Sequence, residues 1–120
     1  MAQEKIFENK IKKFLDENGC WYVKFFANAY TKKGVPDLLV CCNGHFLAIE
    51  VKAENGKATD LQKLTVDKIR SAGGKAVILK PSQFDSFCNL VKLLKEEKRV
   101  DINYKLSVSD FRNLYGLKEV

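Results

Sequence analysis

The sequence is poor in the residues that build common metal and nucleophile sites. It has one histidine, two prolines and four cysteines in 120 residues. His45 stands alone, and Cys20, Cys41, Cys42 and Cys88 form no C-x-x-C pair. Neither a zinc site nor a cysteine–histidine nucleophile follows from such a set. Cys41 and Cys42 are neighbours in a strand pattern and should point to opposite faces. The cysteines read as reduced, small apolar fillers of the kind cytosolic proteins carry. No apolar run reaches the length of a membrane span. The start, MAQEKIFENK, is charged and lacks a signal-peptide core. The expectation is a cytoplasmic protein with no membrane partner. Repeats and low-complexity stretches are missing as well.

What is present suits one folded domain. Apolar residues make up 46% of the chain, enough to bury a core and to exclude disorder. The formal net charge is +6, which points to an anionic partner, most often nucleic acid.

The stretch VPDLLVCCNGHFLAIEVK, residues 35–52, organises the rest. Two apolar runs flank Asn43-Gly44, the strongest short hairpin signal. With those two residues as the loop, Cys42 faces His45 and Asp37 faces Glu50. Directly opposite side chains have Cβ atoms about 4.5 to 5.5 Å apart. Lys52, two residues beyond Glu50, shares its face. A loop of odd length would instead send Asp37 to the other face. Facing carboxylates are unfavourable by themselves, and one of the two pKa values must rise. A divalent cation reverses that sign, because hard cations take carboxylate oxygens. The plainer reading has Asp37 serving the turn after Pro36 and Lys52 pairing with Glu50 at the surface. Three charged groups meeting on two otherwise apolar strands favour the metal site.

Around this hairpin the elements read in order. Residues 4–18 show a helical stripe of Phe7, Ile11, Phe14 and Leu15, stopped by Asn18-Gly19. Glu4 and Glu8, with Lys12 one turn on, read from the residues alone as a solvated face with helical ion pairs. CWYVKFFA, residues 20–27, is a strand by its aromatic and β-branched content. The polar loop that follows carries Lys32 and Lys33, and a second Asn-Gly loop carries Lys57. These lysines are either plain solvated positions or phosphate contacts. Residues 60–72 form a helix with Leu61, Leu64 and Ile69 on one side, and Thr59 with Gln62 fits a capping box. KAVILK, 75–80, reads as a strand buried on both faces. Ser82 with Asp85 opens a last helix whose stripe is Phe84, Phe87, Cys88, Val91 and Leu94. Its end, Lys95 to Arg99, should lie in solvent. Residues 109–117 suggest a short amphipathic helix. The order predicts an α/β fold, a mixed four-stranded sheet with helices packed on it.

Gly34-Val35-Pro36-Asp37 followed by Glu50-Val51-Lys52 resembles the PD-(D/E)XK nuclease signature, and with it a restriction-endonuclease-like core. More narrowly, the chain resembles the stand-alone virus-type replication–repair nucleases (VRR-NUC), common in phages and related to archaeal Holliday junction resolvases. ENKIKKFLDENG, KATDLQ and AGGKAVIL support the likeness. The resemblance implies a nuclease domain over 1–98 and an extension, 99–120, packed on the domain or on a dimer partner. It implies Mg²⁺ or Mn²⁺ held by Asp37, Glu50, the backbone carbonyl of Val51 and Glu8. Lys52 and Gln62 would complete the catalytic set, and Lys32, Lys33 and Lys57 would contact DNA. The substrate implied is branched DNA recognised by shape, the assembly a homodimer, and the place the cytoplasm, of a host cell if a phage encodes the chain. The alternatives are a nuclease of the same fold that nicks duplex, flap or single-stranded DNA, or a nucleic-acid-binding protein without catalysis.

Overall fold

The structure, a computed structural model, describes residues 2–97. Helix α1 (Ala2–Glu17) leads into strand β1 (Trp21–Lys24). Strands β2 (Leu38–Cys42) and β3 (His45–Val51) make the hairpin. Helix α2 (Asp60–Ser71) crosses to β4 (Lys75–Leu79), and a 3-10 turn (Pro81–Gln83) opens α3 (Phe84–Glu96).

The sheet order is β1-β2-β3-β4. The first three strands form an antiparallel meander, and β4 runs parallel to β3. The hairpin register is the one the two-residue turn dictates, with Cys42 opposite His45 and Leu38 opposite Ile49. Asn43 and Gly44 both adopt positive φ, 49° and 83°, as a type I′ turn requires.

Strand alternation sorts the core into two layers. Leu38, Val40 and Cys42 of β2 and Leu47, Ile49 and Val51 of β3 face α1 and α3. There they meet Phe7, Ile11 and Leu15, and Phe87, Val91 and Leu94. On the other side Ala48 and Ala76, paired in register, seat Val66 of α2, with Leu39, Ile69 and Ile78 around them. The result is a three-layer α/β/α sandwich in which β3 is covered on both faces.

Four expectations need correction. Leu61 and Leu64 do not face inward; they are 44% and 47% exposed, and Val66 with Ile69 makes the contact. The small alanines of β3 and β4 fix that face, because they let the helix settle where Val66 lies. Strand β4 is not buried on both faces: it ends the described sheet, and Val77 and Ile78 are half-buried. Ser82 does not cap α3; its N–H and hydroxyl both donate to Glu54, 2.8 Å each. The strand expected over 20–27 is regular only to Lys24, although Phe25 N–H still donates to the Asp37 carbonyl at 2.8 Å. Lys95, Glu96 and Glu97 are exposed as expected. The expectations for Lys98, Arg99, the helix over 109–117 and the extension over 99–120 fall outside the described residues.

Candidate active site

Asp37 stands at the entry of β2, held from two sides. Pro36 before it is buried and removes a backbone donor. Its own carbonyl accepts from the N–H of Phe25, just past the end of β1. Three residues earlier, Gly34 turns at φ +79°, where a Cβ would meet Leu61 Cγ at 2.8 Å. Only glycine brings this loop so close to α2, and the loop aims Asp37 at the end of β3. There Asp37 Oδ2 accepts from Val51 N–H at 2.8 Å.

Glu50 lies beside it, 3% exposed. Burial, and then the Asp37 carboxylate within hydrogen-bonding reach, push its carboxyl up to about 8. Lys52 Nζ, 3.8 Å from Glu50 Oε2, offsets only part of this. The backbone of Lys52 is fixed by its N–H donating to Leu79 of β4. Asp37, Glu50, Val51 and Lys52 are thus gathered at one end of the sheet.

Glu8 joins them from α1, and not as a solvated residue. It is 5% exposed. Its Oε1 accepts a hydrogen bond from Lys24 Nζ. Its Oε2 is buried and pairs with Lys12 at 3.1 Å and Lys5 at 3.5 Å. Burial alone would raise its pKa, but the hydrogen bonds and charges of Lys24 and Lys12 outweigh it and hold the carboxyl below the usual range. A cleft of about 280 Å³ lined by Glu4, Lys5, Glu8 and Lys24 opens beside these residues.

Lys24 is the residue that sequence reasoning missed. Its ammonium bridges Glu8 and Asp37, lying 3.5 Å from Asp37 Oδ1. Burial would lower its pKa, but its hydrogen bond with Glu8 and the charge of Asp37 raise it. No local signal marked it, because its place follows from the pairing of β1 with β2, where Lys24 lies opposite Leu38, next to Asp37.

The remaining expected residues lie apart from this cluster's bonding. Gln62 serves the capping box, its Oε1 accepting from Thr59 N–H at 2.9 Å and its N–H donating to the Thr59 hydroxyl. Lys32, Lys33 and Lys57 are exposed on loops and make no ion pair among the described residues.

Whether a metal suits this site can be judged from its donors. Among the described residues, no three His, Cys, Asp or Glu side chains cluster tightly enough to cage an ion alone. A cage is not what Mg²⁺ needs, since it uses one or two carboxylates, several waters and substrate oxygens. Two adjacent carboxylates, Asp37 and Glu50, the second with its pKa raised by burial and by the first, are a donor set that fits a divalent cation.

A mixed sheet flanked by three helices, with Pro-Asp and Glu-x-Lys at one end, defines a restriction-endonuclease-like protein of the PD-(D/E)XK class. The sequence model described as archaeal Holliday junction resolvase (hjc) matches residues 2–119, nearly the whole chain, and the chain belongs to that family. Membership carries nuclease activity and the binding of DNA. No curated protein matches the chain. Among the described residues, no helix is long and apolar enough to cross a membrane.

Proposed function

We propose that the protein is a divalent-metal-dependent endonuclease that hydrolyses phosphodiester bonds in branched, four-way DNA, selecting shape rather than sequence. The observation that carries this is the convergence of Asp37 and Glu50, with Lys52 beside them, at the end of the hairpin. Asp37, Glu50 and the Val51 carbonyl would hold Mg²⁺ or Mn²⁺, with Glu8 behind them. When bound, the ion lowers the pKa of water and polarises the phosphate. Lys52 holds its ammonium where negative charge develops, and orients the attacking water by hydrogen bonding. With no histidine in the site, a metal-activated water would supply the nucleophile. Gln62, once released from its cap, would reach the scissile phosphate.

Lys32, Lys33 and Lys57 would contact phosphates, which position a duplex without reading its bases. A four-way junction offers two symmetric cuts, so the working unit proposed is a homodimer, with 99–120 packing on the domain or the partner. The virus-type assignment, a phage source and a cytoplasmic setting belong to the same proposal. Thr59-x-x-Gln62 supports the first of these.

The test is cleavage of an end-labelled four-way junction beside a linear duplex of the same sequence, with Mg²⁺, Mn²⁺ or chelator. Wild type should nick the junction in pairs and only with metal. Asp37→Asn should give no cleavage above background. Cutting of both substrates would remove the shape selectivity, and junction binding without cleavage would favour a non-catalytic protein.

A further inference from the structure

We propose that Lys24 is a resident counter-ion that occupies the seat of the divalent cation and weakens its binding. This rests on the reading of the site as a metal centre. Asp37 has two carboxylate oxygens, and Oδ2 is already committed to Val51 N–H. The oxygen left to ligate an ion is Oδ1, and Lys24 Nζ lies 3.5 Å from it. The same ammonium donates to Glu8 Oε1. One cation thus contacts one carboxylate oxygen on each of two of the expected ligands, from two different elements.

The placement is built into the sheet. Lys24 pairs with Leu38, and the Phe25 N–H bond to the Asp37 carbonyl holds the two strands together at that point. The side chain is only 23% exposed, so water screens the ammonium poorly. A divalent ion on Asp37 Oδ1 would stand within a few ångströms of a like charge, where repulsion at low dielectric is large. The two cations exclude each other. When the ion binds, Lys24 must leave Oδ1. Its flexible stem can carry it toward the exposed ring of Phe26, whose centroid is 6.0 Å from Nζ. A lysine that merely ties α1 to the sheet would stabilise the fold and leave metal affinity unaltered.

The experiment titrates Mn²⁺ into metal-free, DNA-free protein by calorimetry, with the free ion followed by electron paramagnetic resonance. Wild type is compared with Lys24→Met, Glu8→Gln, the double variant and Asp37→Asn. Lys24→Met should bind Mn²⁺ about tenfold or more tightly than wild type. Because Lys24→Met leaves Glu8 buried with one cation fewer, the double variant against Glu8→Gln alone repeats the comparison without that charge, and should show the same tightening. Equal or weaker binding in both comparisons, while Asp37→Asn loses binding, would overturn the role of Lys24 and leave the metal site standing. Binding that Asp37→Asn leaves unchanged, or no binding in any variant, would remove the metal reading itself and this inference with it.

Discussion

Asp37 does two jobs with two oxygens, and the difference decides how it should be altered. Its Oδ2 satisfies the Val51 N–H inside the fold. Alanine would orphan that donor, at a cost of about 1–3 kcal/mol. Asparagine keeps an acceptor there, removes the charge and puts an NH2 in the place of Oδ1. That charge acts chiefly on Glu50, whose carboxyl is pushed from 4.5 up to about 8 by burial and by Asp37. A group whose folded pKa is raised adds stability below its unfolded pKa and loses it as pH rises through the folded value. The metal-free protein should therefore lose thermal stability between pH 4.5 and about 8. Glu8 and Glu54, held low in the fold, act instead on the acid side of that window. Melting curves of wild type and Asp37→Asn across the window check this: the variant's midpoint should vary less with pH. A wild-type midpoint that rises over the same range would mean that Glu50 is ionised without penalty in the fold.

At the scale of the element, α2 separates what pattern shows from what packing decides. The helix, its capping box and its limits were legible, because Thr59, Gln62 and Gly73-Gly74 act locally. Its buried face was not, because leucines at helical spacing mark an apolar stripe without saying what lies beneath it. Ala48 and Ala76 lie beneath, and their small size selects Val66. Val66→Ala should cost about 1–3 kcal/mol, and Leu64→Ala about 0.5 kcal/mol or less. Chemical denaturation of the two variants measures both, and reversed magnitudes would show α2 turned about its axis. The hairpin was legible for the opposite reason. Asn43-Gly44 admits a two-residue turn, and a turn of known length fixes every pair behind it. Asp37, Glu50 and Lys52 followed from that register. Lys24 and the burial of Glu8 did not, since each depends on the packing of β1 and α1 against the hairpin, which no local signal encodes.

For the molecule as a whole, charge is divided between site and periphery. Near the site, Lys5, Lys12, Lys24 and Lys52 are engaged with Glu8, Asp37 and Glu50. The loop lysines Lys32, Lys33 and Lys57 are free of ion pairs among the described residues, and on the proposed reading they serve phosphate. Junction binding should fall steeply with salt, about a thousandfold between roughly 50 and 200 mM for about six phosphate contacts. Anisotropy titrations over that range measure the slope. A flat response would show that the net charge of +6 takes no part in binding. The C-terminal end of the described fold meets the hairpin turn. Asn43 Nδ2 donates to the carbonyls of Leu94 and Glu97, 2.8 Å each, and to that of Lys95 at 3.3 Å, while His45 Nε2 lies 2.8 Å from Glu97. An asparagine before glycine is chemically short-lived, because the next backbone nitrogen can attack its amide and convert it to aspartate or isoaspartate. The end of α3 holds the Asn43 amide away from that attack. At Asn55-Gly56, in a loop of the same chain, it is the attacking nitrogen that is held, since the Gly56 N–H donates to the Ala53 carbonyl at 2.9 Å. The protein therefore carries two clocks of identical chemistry. Conversion of Asn43 requires that α3 first let go of the turn, and that of Asn55 that the Gly56 N–H leave the Ala53 carbonyl.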